Sequence, residues 1–252
     1  MSFLKAIKRL IPNNIKQEGK YFLMRLLKMP YSRPNAPLEV LKWLPANDPI
    51  TFFDIGASVG NFAKCICGEY EIKKAFLIEP VSKLIPILED AFPNKETFHI
   101  INAAISDTVS ETDFYYNEDA DFVSSLLRID NKGEAFVSLN FDDPVLTKIQ
   151  TLTLDSIVNE QQISNIDLIK IDVQGAEHLV LLGGIETLKK TKLVFTEFSY
   201  KPLYEKSSTI FDLYKILYEN NFILVSTSNG YASPNGELLQ GDALFVNKAL
   251  IN

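Results

Sequence analysis

The residues with the most chemical potential in this chain stand where apolar runs end. Phe52-Phe53-Asp54-Ile55-Gly56-Ala57-Ser58-Val59-Gly60-Asn61-Phe62 carries an apolar run into a glycine-bearing turn, and Glu79 closes the next run, Phe76-Leu77-Ile78-Glu79-Pro80. In open α/β sheets, ligands bind in the crevice beyond the carboxyl ends of the strands, so a turn of this kind is placed to meet one. Three readings compete for it. A dinucleotide site wants G-x-G-x-x-G, but positions 56, 58 and 61 are Gly, Ser and Asn, and Asp54 would repel a pyrophosphate. Gly56-Ala57-Ser58-Val59-Gly60 matches the nucleophile elbow G-x-S-x-G letter for letter and would make Ser58 the nucleophile of an esterase. That chemistry needs a later histidine. The chain has only His99, inside an apolar strand as a satisfied core residue, and His178, inside a helix. The third reading is a site for S-adenosylmethionine, which offers an ammonium, a ribose diol and a sulfonium. Asp54 would anchor the ammonium side, Gly56 and Gly60 would let backbone approach, and the two oxygens of Glu79 would accept from both ribose hydroxyls. Each acid could instead cap a helix, but an acid after each of two successive strands favours a site.

These residues need a sheet to hold them. Apolar runs of strand length at 50–55, 75–79, 97–101, 166–172, 193–198, 222–227 and 243–247 alternate with helical patterns from about 59, from Ser82, through about 189 and over 209–220. Seven strands in this rhythm predict a Rossmann-like α/β fold, a mostly parallel sheet with helices on both faces. Residues 105–150 break the rhythm and suit an excursion that closes a pocket over the strand ends. A chain of 252 residues buries a full core without staples. The two cysteines, Cys65 and Cys67, have no second pair to complete a zinc site and read as reduced thiols of a cytoplasmic protein.

The net charge of −7 argues against coating nucleic acid, and no apolar run reaches the roughly 18 residues that a membrane-spanning helix needs. The charge is a sum of opposites. Residues 1–30 hold seven basic side chains against Glu18 alone, a net +6, which leaves −13 for the remainder. Phe3, Leu4, Ile7, Leu10 and Ile11, then Tyr21, Phe22, Leu26 and Leu27, recur at helical spacing. Residues 1–37 are therefore expected to form a basic amphipathic arm with a Pro-rich linker, ahead of a catalytic domain over 38–252. The arm either packs on the domain's own core or rests on a partner or an anionic membrane at its inner face.

With those residues in hand, the sequence resembles the FkbM-type family of S-adenosylmethionine-dependent methyltransferases. The resemblance runs from Phe52 to Val246 through FFDIGASVGNF, FLIEP, INAAISD, the VSSL segment, TLTLDSI, DLIKIDVQGAEHLVLLGG and LVFTEFS, in family order. It implies a class I methyltransferase sheet of seven strands with the last antiparallel, and transfer of a methyl group to an oxygen, usually of a sugar or natural product. It assigns Asp54, Gly56, Ala57, Ser58, Gly60 and Asn61 to the first cofactor loop and Glu79 with Pro80 to the ribose contact. Asn102, Ala103 and Ala104 would border the adenine, and Asp172 would lie beside the methyl donor. Ser124 and Ser125 match a serine-bearing segment that would touch substrate or cofactor. One departure is Gln174, where many members carry Glu.

Methyl transfer from a sulfonium is an in-line displacement, and an alcohol acceptor wants a base to take its proton or a metal to acidify it. Lys170-Ile171-Asp172-Val173-Gln174-Gly175-Ala176-Glu177-His178 offers candidates at a strand end. Asp172 and Glu177 lead, Lys170 alternates with Asp172 on one strand face and would tune it, and His178 is a lesser candidate base. Glu197, ending the fifth of the seven strands, would contact substrate. Asp172, Glu177 and Glu197 together supply oxygens that a divalent ion could take, which leaves a metal as an open expectation. The rival of another class keeps the same fold as a non-catalytic binding module in a glycan-assembly complex, docked through residues 1–30.

Overall fold

The computed structural model describes residues 40, 42–44, 48–117, 124–129, 144–228, 230–233 and 235–251. The arm expected over residues 1–37 lies outside the described residues.

The central strands are mostly apolar because both of their faces are covered. β1 (Ile50–Ile55) is buried throughout. It pairs in parallel with β2 (Ile72–Ile78) on one side and β7 (Ile166–Ile171) on the other. β3 (Phe98–Ile101) extends the parallel sheet beyond β2, and β8 (Thr191–Ser199) extends it beyond β7. β11 (Leu238–Asn247) runs antiparallel to β8, and its other edge takes β9 (Phe222–Thr227) and the two-residue β10 (Tyr231–Ala232). All seven expected strands are present, and the final one is the antiparallel one.

Alternation along the strands sorts side chains onto two helical layers. Phe53, Ile55, Phe76, Ile78, Ile169 and Ile171 face α3 (Leu154–Glu160), α4 (Glu177–Leu182), α5 (Ile185–Leu188) and α6 (Ile210–Glu219). Phe52, Ala75, Leu77 and Leu168 face α1 (Asn61–Glu69) and α2 (Ile85–Ala91). Phe53 stacks on Phe76 at 4.5 Å between ring centres. Each fully buried phenylalanine contributes about 1.5–3 kcal/mol relative to exposure, which anchors the β1–β2 pair that carries the site.

The helix expected to run through 189 is broken in two by Gly183-Gly184. A Cβ on Gly183 would lie 2.1 Å from the Ser106 carbonyl oxygen, so a close crossing excludes a side chain there. The Asp155 carboxylate then restarts the chain by accepting from the Thr187 and Glu186 amides at the head of α5. The irregular middle is a second small sheet in which β6 (Val145–Leu152) pairs with β4 (Ala104–Ile105) and β5 (Ser110–Tyr116).

Candidate active site

Register fixes the geometry of the strand ends. Ile55 of β1 is level with Ile78 of β2 and with Ile171 of β7. Glu79 and Asp172, each one residue further on, therefore flank Gly56 from either side. They are two strand spacings, about 10 Å, apart. The turn between them is pinned by backbone: the Gly56 and Ala57 amides donate to the Ile78 carbonyl, and the Asp172 amide donates to the Ile55 carbonyl, all at 3.0 Å. Gly56 has φ +77°, and a Cβ there would sit 1.8 Å from the Asp172 carbonyl oxygen, so the crossing admits glycine alone.

An open crevice of about 720 Å³ lies over these ends. Of the sequence candidates, Gly56, Ser58, Glu79, Pro80, Ala103, Ala104, Ser124, Ser125 and Asp172 line it. Gln174 joins them, together with Val81, Leu84, Phe114 and Leu126, which give one end an apolar wall. Phe114 and the 124–126 segment belong to the irregular middle, which does close over the strand ends. The fastening is visible: Ser125 exchanges backbone hydrogen bonds with Tyr115, and its Oγ donates to the Gln174 carbonyl at 2.7 Å. Ser124 Oγ accepts from the Asn117 amide.

Glu79 is 5% exposed, with Oε2 accepting from the Ser58 amide and Oε1 from the Val81 amide, both at 2.8 Å. Burial pushes its pKa up and the two amides pull it back. Each carboxylate oxygen keeps a further lone pair, and together they are the pair of acceptors that the two donating hydroxyls of a vicinal diol require.

Several candidates stand off the wall. Asp54 does not reach the crevice; it is fully buried beneath the turn, with Lys170 Nζ 3.2 Å from Oδ1. It cannot anchor a ligand's ammonium directly. Lys170 is not a base either, because its ammonium donates to the Gly56 carbonyl at 2.7 Å and lies between Asp54 and Asp172. Burial works against that charge, yet the two carboxylates hold its pKa above the ordinary lysine value. The expected Lys170–Asp172 pair is thus present at 3.5 Å, with Asp54 as a further partner supplied by strand pairing.

Glu177 is 3% exposed and faces its own loop: Oε1 accepts from the Val173 and Gly175 amides. Burial pushes its pKa up to about 7. His178 is half-buried away from the crevice, and its Nδ1 has no hydrogen-bond partner among the described residues. Ala57 is buried in the turn, Gly60 abuts Phe92, and Asn61 is exposed at the head of α1. Asn102 clips the neighbouring loop, donating to the Glu79 and Pro80 carbonyls and accepting from Ser82 Oγ. His99 stacks on Phe76, but its Nε2 has no partner among the described residues, so it is packed rather than satisfied. With neither histidine on the crevice wall, exposed Ser58 lacks the partner that an esterase needs.

Glu197 stands behind the wall, its Oε2 accepting from Gln174 Nε2 at 3.1 Å and Gln240 Nε2 at 3.4 Å. Burial, then Asp172, Glu177 and Asp242, raise its pKa well above the ordinary carboxylate range. Among the described residues no group of three His, Cys, Asp or Glu side chains is arranged to hold a metal ion. The three carboxylates considered for one are otherwise engaged: Glu177 by its loop amides, Asp172 by Lys170 and Gln174, Glu197 by two glutamine amides. Tyr204 carries no sequence signal of a site, yet it is 1% exposed and donates to Gln174 Oε1 at 3.0 Å.

The seven expected strands with β11 reversed, joined at the edge by the two-residue β10, a glycine turn after β1 and an acid after β2, all opening on one crevice, define a class I methyltransferase, an enzyme that uses S-adenosylmethionine as methyl donor. The chain belongs to the methyltransferase FkbM family, whose domain model matches residues 54–224. Among curated proteins it is 29% identical to the 2-O-methyltransferase NoeI of Sinorhizobium fredii (strain NBRC 101917 / NGR234) over 185 residues, covering 71% of this chain and 75% of that one. Among solved structures it is similar to methyltransferase FkbM from Methylobacillus flagellatus KT, with a TM-score of 0.50 and 14% identity over 84% of this chain. The chain spans about half the length of that protein, 48%.

Proposed function

We propose that this methyltransferase is an O-methyltransferase acting on a hydroxyl of a sugar in a glycan, glycolipid or natural product. The observation that carries the reading is the pair of carboxylates in one crevice. Glu79 and Asp172 flank Gly56 and stand about 10 Å from each other, a diol acceptor at one station and a partly open carboxylate at the other. The name of the 2-O-methyltransferase relative supports oxygen as the acceptor atom.

When bound, S-adenosylmethionine supplies an electrophilic methyl on a positively charged sulfur. The residues present fit it: the Glu79 oxygens would accept from the ribose hydroxyls, and the bare Gly56 backbone would permit close approach. Val81, Leu84 and Phe114 would pack on the flat face of an aromatic base such as adenine. Asp172, whose side chain is 39% exposed, accepts the acceptor hydroxyl's proton as the new carbon–oxygen bond forms. Lys170, itself paired with the buried Asp54, holds Asp172 from below rather than touching either reactant.

Incubation with methyl-labelled S-adenosylmethionine and a panel of free sugars and short glycosides tests the reading. Label on an ether oxygen of a sugar is the expected result. Label found only on nitrogen or carbon acceptors from an extract, with every sugar unlabelled, would overturn it.

A further inference from the structure

The side-chain amide of Gln174 is engaged on both of its atoms. Nε2 donates to Asp172 Oδ1 at 2.8 Å and to Glu197 Oε2 at 3.1 Å, while Oε1 accepts from the Tyr204 hydroxyl at 3.0 Å. Reversing the amide would set its oxygen against two carboxylate oxygens, so the partners themselves assign its orientation. Burial, then Glu197, hold the Tyr204 hydroxyl above the ordinary tyrosine range, which keeps it a donor. The backbone is held as firmly. Gln174 has φ +57°, a left-handed conformation that strains a non-glycine residue, and its carbonyl is tied to Ser125 Oγ at 2.7 Å. At Gly175 a Cβ would lie 2.7 Å from Tyr204 Cδ2, so the tyrosine ring packs directly on this loop.

The charges around Asp172 show what the amide does. Lys170 approaches from β7 and Asp54 from β1, Glu177 lies on α4, Glu197 on β8 and Asp242 on β11, and the Tyr204 hydroxyl comes from the loop after β8. Lys170 is the cation that contacts Asp172, and it already serves Asp54 and the Gly56 carbonyl. An acid at position 174 would put a third carboxylate between Asp172 and Glu197 and call for another cation or a proton. A neutral amide reaches both acids through its N–H bonds without adding a charge.

Resting on the reading of Asp172 as the group that receives the acceptor's proton, we propose that Gln174 is a positioning residue of the transfer: its amide, locked by Tyr204, stands between Asp172 and Glu197 where a bound cation would otherwise be needed and holds the Asp172 carboxylate toward the acceptor.

Two readouts test this, one of them independent of any acceptor. Manganese titration followed by electron paramagnetic resonance uses wild type, Gln174→Glu, and Gln174→Glu combined with Asp172→Asn. Wild type should leave the ion free, Gln174→Glu should bind it in the crevice, and the double variant should lose that binding. Equal manganese binding by wild type and Gln174→Glu would overturn the proposed juxtaposition. Steady-state kinetics with whichever sugar of the panel accepts label supplies the second readout. Gln174→Leu and Tyr204→Phe should each lower kcat about tenfold or more while leaving KM for the methyl donor within about twofold, and Gln174→Glu should move the acid limb of the pH profile up by about one unit. Full kcat with an unmoved profile in these variants would overturn the positioning role. If no sugar accepts label even from wild type, the O-methyl reading falls alone, and the manganese titration still decides the place of Gln174.

Discussion

Glu177→Gln separates a loop clamp from a catalytic base by pH alone. The carboxylate is 3% exposed and accepts from the Val173 and Gly175 amides, bonds that a glutamine Oε1 can keep. Burial raises its pKa from the ordinary 4.5 to about 7. A carboxylate raised on folding binds its proton more tightly in the native state, so native stability falls as pH rises from 4.5 to about 7 and is level above that. At about 1.4 kcal/mol per pH unit the gap amounts to about 3 kcal/mol, an upper value because water entry would relieve part of it. The glutamine variant has no proton to lose. Its stability relative to wild type should therefore improve by about 2.5 kcal/mol between pH 5 and pH 8, or roughly 5–10 °C in Tm for a domain of this size. Urea unfolding of both proteins at pH 5, 6.5 and 8 measures it. A difference that stays constant across the three pH values would refute the buried, proton-holding clamp.

Other substitutions probe the remaining parts. Lys170→Met leaves Asp54 and Asp172 without their shared cation and should cost about 3–5 kcal/mol in urea unfolding, part of it recovered by adding Asp54→Asn; strictly additive losses would contradict the shared pairing. Gly56→Ala, whose Cβ meets the Asp172 carbonyl, should abolish S-adenosylhomocysteine binding by calorimetry and lower Tm; an unchanged binding isotherm would show that the turn relaxes freely. Ser58→Ala should keep methyl transfer within a few fold and an active-site serine probe should fail to label wild type, since no histidine lines the crevice.

The large sheet was legible because each central strand is an apolar run of strand length between turn signals, and β1 and β9 begin and end where the pattern puts them. The small sheet was not. β6 is exposed or half-buried at all but one position, and its partners β4 and β5 lie some forty residues back, so no local period reveals it. Among site residues, Glu79 and Asp172 could be read from strand ends alone. Asp54 is also next to a strand end, but whether it faces a crevice or a buried lysine depends on β1 lying beside β7, which only the fold decides. Gln174 stood out as a departure from its family, whereas its partners Tyr204 and Ser125 come from separate loops with no periodic signal. Glu177 stood in the sequence as a leading base, but its burial against the loop amides that it clamps depends on a turn whose shape no spacing reveals.

The cofactor crevice is the centre of the account, and Glu79 is its most exact test. Calorimetric titration with S-adenosylhomocysteine should show one-to-one binding to wild type and a loss of at least tenfold in Glu79→Gln, which keeps the volume but turns an N–H toward the diol or the loop amides. Equal affinity in the two proteins, with their unfolding curves superimposed, would contradict the placement of the ribose on Glu79 and with it the assignment of this crevice.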